Sequence, residues 1–258
     1  MSEATTVLTI AYDGAAFHGF ARQPGLVTVQ GAIEAALATV TGRPIEIVGA
    51  GRTDAGVHAH GQVVSFSTHP DDPAPAQIRR AVTALTAPSI VVSRVRSAPA
   101  GFSARHDAML REYHYLIVAG PNPPLALRGR AWWVKKDLDL DRMRAAALHL
   151  LGEHDFRSFC VGPSARDRRT VRDIAGIDID RACELGEDCI VVRVIGRSFL
   201  HSMVRIMVGS LVEVGKGKRD PLWMAEALAA RRRGAAGITA PAHGLTLWSV
   251  TYPDGWIR

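Results

Sequence analysis

Residues 49–61, which read GAGRTDAGVHAHG, place several chemically capable groups among four glycines. Arg52 offers a guanidinium, Asp54 a carboxylate, and His58 and His60 two imidazoles. Glycine permits left-handed backbone and close approach to a ligand, so such a stretch suits a turn that presents side chains to a substrate. Three kinds of site use these residue types: a nucleotide-phosphate cradle, a metal centre, and a carboxylate acting alone as nucleophile or base.

The first two kinds of site fit the spacing poorly. A dinucleotide fingerprint needs a third glycine where Asp54 stands and a helix directly after the loop, whereas residues 62–67 predict a strand. A His58-x-His60 pair beside an aspartate is typical of metal-dependent hydrolases of the TIM-barrel class, but the chain lacks the repeating βα units of that fold. Two interpretations of Asp54 then remain, and the loop alone favours neither. Asp54 is either a functional carboxylate or the residue of an Asx-turn whose side chain caps its own backbone.

A second candidate group lies in the segment 199–212, which is apolar almost all round and therefore predicts a buried helix. Arg205 falls in its middle, within a narrow polar stripe at helical spacing that also contains His201, Ser202 and Gly209. A desolvated guanidinium needs a carboxylate or an anionic ligand, and Asp54 is a plausible partner. The alternative is that Arg205 reaches solvent along its own stem.

The elements that must position these groups follow a regular order in the first part of the chain. Strands are expected over 7–12, 45–48, 62–67 and 90–95, with helices over 28–42 and from Pro75 to Leu85. Thr28 is expected to N-cap the first helix. The resulting β-α-β-β-α-β order is that of a ferredoxin-like unit, an antiparallel four-stranded sheet with both helices on one face.

A second set of elements is expected after the prolines around residue 99. Strands are predicted over 110–118, 131–135, 174–179, 190–195 and 245–250, with helices over 139–151, 199–214 and 221–231. We interpret this set as an expanded version of the same unit. The predicted fold class is therefore α+β, with two ferredoxin-like βαββαβ units.

The composition favours a polyanionic partner. The net charge is +6, and most of the surplus lies late in the chain, because residues 1–105 carry 8 basic and 7 acidic side chains and residues 106–258 carry 23 and 18. Basic clusters at 166–169, 216–219 and 231–233 could each equally be solvated surface. Three cysteines without a Cys-x-x-Cys pair, no signal-peptide pattern and no long uncharged apolar run predict a cytoplasmic protein without a membrane span.

Several motifs occur in order through nearly the whole chain, from residue 8 to about residue 253. They are LTIAYDGAAFHGFARQ, TVQGAIEAAL, GAGRTDAGVHAHGQVVSF, FSARHDAMLREYHYLI, GEHDFRSF, FLHSMVRIMVGSLVEVG and APAHGLTLWSVTYP. Together they resemble the tRNA pseudouridine synthases of the TruA type. GRTDAGVHA is the only one of them that is specific by itself.

The resemblance implies an isomerase that converts uridine to pseudouridine in the anticodon stem-loop of tRNA, at positions thirty-eight to forty. No redox cofactor, nucleotide or metal is implied, since the reaction neither adds nor removes atoms. Asp54 matches the catalytic aspartate, and Arg205 matches the arginine that would hold it anionic and oriented. Tyr113, otherwise a packing residue of its strand, matches the active-site tyrosine, and Arg52 matches the loop arginine expected to fill the gap left by a flipped nucleotide.

The resemblance also implies a homodimer that holds the tRNA in basic clefts spanning two subunits. Within each chain it implies a boundary near 105 between a domain 1–105 and a domain 106–258, whose sheets join across a central cleft with Asp54 facing Tyr113 and Arg205. The chain departs from the family pattern at Phe20, where tryptophan is common and RNA contacts could change, and at His60.

Two other functions compete with this interpretation. The first is a non-catalytic RNA-binding module, because the first half shares its topology with RNA-recognition domains, although the segments IEIVGA and QVVSFS offer only Phe66 for base stacking. The second, less favoured, is a metal-dependent hydrolase that uses His58 and His60. His58 is otherwise expected to bond a backbone group as loop scaffolding, and His60 to be a surface residue.

Overall fold

The computed structural model describes residues 4–161 and 169–256, and within these ranges it contains ten β-strands and five α-helices. The chain divides into two units. Unit 1 comprises the residues up to Arg111 and those from Leu247 onward, and unit 2 comprises Glu112–Thr246. The chain thus passes between the units twice, whereas the sequence predicts one boundary near 105. Within the described ranges, no helix has the length and apolar character needed to cross a membrane.

Unit 1 is built on an antiparallel sheet with β1 at its centre. Its elements are β1 (Thr5–Tyr12), α1 (Val29–Thr41), β2 (Val48–Gly49), β3 (His58–Ser67), α2 (Pro75–Thr86), β4 (Ile90–Ala98) and the end of the chain's last strand, β10 (Leu245–Thr251). Strand β1 pairs with β3 on one side and with β4 on the other. Both β2 and β10 pair with β3. The predicted α+β class is confirmed here.

Strands β2 and β3 of unit 1 do not begin at the predicted residues. The strand expected over 45–48 is reduced to Val48–Gly49, because the N–H of Ile47 donates to the Glu34 carboxylate at 3.1 Å instead of to a neighbouring strand. Strand β3 begins at His58, four residues before the predicted start at residue 62. The predicted N-cap of α1 is confirmed, because the Thr28 hydroxyl accepts from the Gly31 N–H at 3.3 Å.

Unit 2 combines strands β5 to β9 with three helices. Its elements are β5 (Leu110–Ala119, which begins in unit 1), β6 (Trp132–Val134), α3 (Leu140–Leu148), β7 (Gly152–Asp155), β8 (Val171–Glu184), β9 (Glu187–Gly196), α4 (Met203–Gly215) and α5 (Trp223–Ala230). Strand β9 lies between β5 and β8, and β7 continues the sheet beyond β8. Strand β6 pairs with β5 in parallel. The β8–β9 hairpin turns at Leu185 and Gly186, which both have left-handed backbone.

Helix α4 confirms the predicted burial but starts later than expected. Of its residues Met203–Gly215, all except Arg205 and Glu213 are buried. The helix was expected from residue 199, but Ser202 has a φ of +57° and interrupts helical backbone immediately before Met203. Strand β7 was not predicted, because GEHD has neither the apolar alternation nor the β-branched residues that identify a strand.

Candidate active site

The Asp54 turn lies between β2 and β3 of unit 1. Ala50 donates its N–H to Val63 O at 2.8 Å, and the Val57 N–H closes the turn on Asp54 O at 3.2 Å. Gly56 supplies the left-handed residue of this turn, with a φ of +79°. Thr53 is buried, Asp54 is half-buried and Arg52 is exposed. The backbone therefore presents the Asp54 side chain at the surface of the unit.

Side chains of the sheet hold the residues that precede Asp54. The Tyr12 phenol lies 2.8 Å from the Thr53 hydroxyl in a buried contact, and the Gln62 side-chain amide donates to Gly51 O at 2.9 Å. Burial raises the pKa of Tyr12 to about 12, against smaller lowering effects of its hydrogen bonds to Thr53 and Gln62. The phenol is therefore protonated at neutral pH and can donate to Thr53.

Arg111 fixes the start of the same turn and was not foreseen from the sequence. Its side chain is buried, and both Nε and Nη2 donate to the carbonyl oxygen of Ala50, at 3.1 and 2.8 Å. Nη2 also donates to Arg105 O at 2.8 Å. A guanidinium that bonds one carbonyl through two nitrogens sets that carbonyl's direction. In the sequence Arg111 is only a polar residue of a predicted strand, so no local pattern identifies it.

A second loop, residues 13–20, packs directly against the Asp54 turn. The Phe20 N–H donates to Thr53 O at 3.1 Å. A Cβ at Gly14 would lie 2.2 Å from Val57 O, so only glycine fits this approach. The Phe20 ring is buried and lies over Gly49, where an added Cβ would be 2.4 Å from the ring. The residue at this variable position thus packs inside the unit.

The two histidines have different surroundings. His58 is buried, and its Nδ1 lies 3.1 Å from the Gly14 N–H and 3.1 Å from a carboxylate oxygen of Asp13. The two hydrogen bonds exclude each other. Nδ1 accepts from the Gly14 N–H in one tautomer of the imidazole and donates to Asp13 in the other. His60 is exposed and stacks on the Trp248 ring. Within residues 4–161 and 169–256, no three His, Cys, Asp or Glu side chains converge as metal ligands.

Arg205 in unit 2 lies on the face of α4 that a chain segment covers. Its Nε donates to Ala240 O at 2.8 Å, and the Ala240 N–H donates back to Arg205 O at 3.1 Å. One turn later, a Cβ at Gly209 would lie 2.0 Å from Ile238 O. The glycine predicted to allow a close approach therefore admits backbone of the same unit, and Arg205 is anchored to a carbonyl oxygen that the sequence did not suggest.

Tyr113 lies on β5 and is 7% exposed. Its ring meets that of Phe199 edge to face, with centroids 5.1 Å apart. Tyr115, two residues on, is fully buried and donates its phenol proton to Pro241 O at 2.8 Å. Burial raises the pKa of Tyr115 well above its ordinary value, against a smaller lowering by Arg205. The Tyr115 phenol therefore has a structural partner in Pro241.

Comparison with known sequences decides the family. The family described as tRNA pseudouridine synthase matches residues 8–107 and 146–253, well over half of the chain. The chain belongs to the tRNA pseudouridine synthase family. It is 46% identical over 243 residues to the tRNA pseudouridine synthase A of Brevibacillus brevis, an alignment that covers 94% of this chain and 97% of the relative. The protein of the same name from Thermotoga neapolitana is 44% identical with the same coverage, and that of Bacillus licheniformis is 40% identical over 250 residues, covering 95% and 98%.

As a member of this family the protein is an isomerase that forms pseudouridine in tRNA. Arg52 and Asp54 belong to unit 1, two residues apart in one turn, whereas Tyr113 and Arg205 belong to unit 2. The predicted pairing of Asp54 with Arg205 therefore stays a prediction. His58 bonds a backbone N–H and His60 is a surface residue, as their structural interpretations predicted.

The basic clusters of this tRNA-modifying enzyme are partly engaged within unit 2. Lys216 and Lys218 both contact the Glu213 carboxylate, at 3.3 and 3.1 Å. Arg233 donates to the Thr239 hydroxyl, and burial lowers its pKa. Arg169 is exposed, and residues 166–168 of its cluster lie outside the described residues. Some side chains of the basic clusters therefore also make contacts within unit 2.

Proposed function

We propose that this synthase isomerises uridines in the anticodon stem-loop of tRNA, at positions thirty-eight to forty, with Asp54 as the catalytic residue. The observation that carries the proposal is the construction of the Asp54 turn. Its backbone is held by Gln62 and Arg111 and its Thr53 hydroxyl by Tyr12, while the Asp54 side chain is only half-buried. A carboxylate that is fixed in direction yet accessible is what attack on a bound nucleotide requires.

The reaction exchanges one glycosidic bond for another. The bond from N1 to C1′ breaks, the uracil turns over, and C5 bonds to C1′, after which C5 loses its proton and N1 carries one. An ionised Asp54 can attack C1′, attack the uracil ring, or remove a C2′ proton to start this exchange. All three routes need the carboxylate to be anionic and the uridine to leave the base stack.

The remaining residues receive roles that follow from the family resemblance. Arg205 pairs with Asp54 and keeps it charged, and Arg52 fills the space left by the flipped nucleotide. Tyr113 stacks on the uracil, and its phenol assists the removal of the proton from C5. Two observations support these roles: Arg52 is exposed on the Asp54 turn, and the Arg205 guanidinium is held at Nε by Ala240. Tyr113 is 7% exposed, so stacking requires that its present neighbours move aside.

We propose the finer features of fold and assembly on the same basis. Each unit is a variant of the ferredoxin-like arrangement, which is supported by the β4-β1-β3 order with β2 beside β3 in unit 1 and by the β5-β9-β8 order in unit 2. The protein acts as a homodimer in the cytoplasm, and its three free cysteines suit a reducing compartment. Light scattering should then give twice the chain mass of 27.8 kDa.

The test is tritium release from tRNA labelled at uracil C5. We expect wild-type protein to release tritium to water and Asp54→Asn to release none, because an amide cannot act as an anionic nucleophile or base. Asp71→Asn is the matched control, since it makes the same change in unit 1 at a side chain that is 91% exposed. Carbodiimide mapping of the product locates the pseudouridines.

Normal release by Asp54→Asn would remove Asp54 from the chemistry, and product at other tRNA positions would remove the proposed site specificity. Tyr113→Phe is expected to bind tRNA normally and to turn over slowly, so unchanged turnover would show that the phenol has no part in the reaction.

In the structure, the aromatic residue considered for base stacking in a non-catalytic RNA-binding module is buried. Phe66, the only aromatic predicted for base stacking, is 4% exposed and belongs to the core of unit 1. Chelator-insensitive activity of the purified protein would separately argue against the metal-dependent hydrolase that His58 and His60 suggested.

A further inference from the structure

Two aromatic rings stack on the surface of unit 1, outside the Asp54 turn. His60 on β3 and Trp248 on β10 have ring centroids 4.3 Å apart and an interplanar angle of 13°. The Trp248 ring remains 40% exposed, and His60 is exposed as well. We call these two residues the aromatic pair. Neither contributes to the hydrophobic core of the unit.

The strands beneath the aromatic pair are held by close packing and hydrogen bonds. A Cβ at Gly61 would lie 2.5 Å from Trp248 O, so glycine at this position allows β10 to lie close against β3. Beyond Trp248, the Thr251 carbonyl accepts from the Met109 N–H at 2.9 Å, and the Tyr252 phenol donates to Ala104 O at 2.7 Å. The rings are therefore held in place before any ligand arrives, which lowers the entropic cost of binding one.

The chemistry of the pair matches an unpaired nucleobase. Every base has a flat π-face, and stacking on an exposed aromatic side chain contributes about 1–3 kcal/mol per base in single-stranded nucleic acid recognition. The substrate is an RNA whose loop bases are unpaired and splayed, which is how proteins reach them. His60 also lies only six residues after Asp54, at the start of the strand that leaves the Asp54 turn.

We propose that the aromatic pair is a binding site for an unpaired base of the tRNA substrate, other than the uridine that reacts at Asp54. The proposal rests on the proposed function, because it takes the anticodon loop as the RNA that is bound. The site accepts purines and pyrimidines alike, since stacking reads no hydrogen-bonding edge. It holds the loop beside the Asp54 turn while the target uridine is flipped.

The experiment uses anticodon stem-loop RNA with 2-aminopurine replacing one unpaired loop base at a time. Stacking on an aromatic ring quenches 2-aminopurine fluorescence, so we expect quenching of at least one label by wild-type protein. Trp248→Leu keeps apolar volume but removes the π-surface. It should abolish this quenching and raise Kd by about 5-fold to 150-fold. Trp248→Phe keeps an aromatic ring and should retain most of both signals.

Trp256→Leu is the matched control, because Trp256 is a tryptophan of unit 1 with a similar exposure of 41%. It should leave quenching and Kd unchanged. Circular dichroism and urea unfolding of all variants show whether unit 1 is folded. If Trp248→Leu is folded and binds within twofold of wild type, with every label quenched as before, the proposal is wrong.

Two further measurements separate this proposal from a protein interface at the same residues and from the proposed function. A loss of dimer mass in Trp248→Leu, with unchanged RNA affinity per chain, would assign the aromatic pair to a protein interface and overturn the RNA site. At saturating RNA, Trp248→Leu should release tritium more slowly than wild type but should not lose release completely as Asp54→Asn does, because Asp54 is intact. Absence of tritium release by wild-type protein would refute the proposed function, whereas label quenching tests the aromatic pair independently.

Discussion

The Asp54 turn of unit 1 and the Arg205 helix of unit 2 are held in place by different forces. The turn is fixed by polar side chains, with hydrogen bonds from Gln62 and Arg111 to its carbonyl oxygens and a hydrogen bond between the hydroxyls of Tyr12 and Thr53. Helix α4 is fixed by packing, because nearly all its residues are buried and a backbone segment lies against Gly209.

This difference sets what each region tolerates. Hydrogen bonds are directional and contribute about 1 kcal/mol each to stability. The loss of one therefore changes the position of the carboxylate while the unit stays folded. Close packing is much less forgiving of added volume. We therefore expect changes near Asp54 to reduce turnover more than stability, and changes in α4 to reduce stability first.

The largest expected effect is that of Gly209→Ala. Its Cβ would lie 2.0 Å from Ile238 O, and backbone cannot move aside as a flexible side chain can. We expect the free energy of unfolding of unit 2 to fall by about 3 kcal/mol, the upper end for overpacking. Hydrogen exchange of α4 and of α1 should show the loss in α4 alone.

Gly234→Ala is the control for Gly209→Ala. An added Cβ at Gly234 meets no atom within 4 Å, so α4 should exchange as in wild type. If Gly209→Ala kept wild-type protection in α4 and lost turnover instead, the contrast between a packed helix and a tethered turn would not hold.

Arg111→Lys is the next largest change, and it should act on turnover. Lysine cannot place two nitrogens on Ala50 O in the planar geometry of a guanidinium. The start of the Asp54 turn then shifts, and a misplacement of about 1 Å can cost on the order of 100-fold in rate. We expect kcat to fall by that order while KM for tRNA and the urea midpoint change little.

The control for Arg111→Lys is Arg43→Lys in the same unit. Arg43 also bonds through two nitrogens, but to the Asp72 carboxylate, which has no part in the turn. The Arg43→Lys variant should turn over tRNA with the wild-type kcat. Equal kcat values for the two lysine variants would show that Arg111 does not position Asp54.

The sequence predicted the features that depend on local pattern. The glycine-rich Asp54 turn, the Thr28 cap and the burial of α4 all follow from residue types at short spacing. Arg111 could not be found in this way, because its partner Ala50 lies 61 residues away. The partner of Arg205 was missed for the same reason, since Ala240 lies on a segment without a regular secondary-structure pattern.

His58→Leu should have a smaller effect than Arg111→Lys. It removes the acceptor for the Gly14 N–H, and an unsatisfied buried donor costs about 1–3 kcal/mol. Exchange of the 13–20 loop should therefore become faster and turnover should fall several-fold. His58→Asn offers a carbonyl oxygen in place of Nδ1 and should restore part of the protection. If His58→Asn behaved as poorly as His58→Leu, the backbone contact would not be the role of His58.

The smallest expected effect appears only at high pH, and it tests the buried phenol beneath Thr53. The pKa of Tyr12 is raised from 10.0 to about 12, so between these values the unfolded chain ionises and the folded chain does not. The contribution of Tyr12 to stability is complete below pH 10 and is lost as the pH rises towards 12, at about 1.4 kcal/mol per unit. Tyr12→Phe lacks this titration and lacks the bond to Thr53, which contributes about 1 kcal/mol.

Wild-type protein should thus be more stable than Tyr12→Phe at pH 8 and less stable above about pH 11, as two series of urea unfolding curves would show. The crossing follows because the hydrogen bond favours wild type by about 1 kcal/mol and the titration removes that advantage within about one pH unit. Parallel stability curves across this range would mean that Tyr12 ionises equally in both states. The tether beneath the Asp54 turn would then be exposed to solvent, and the contrast with the packed α4 would be weaker than the hydrogen bonds indicate.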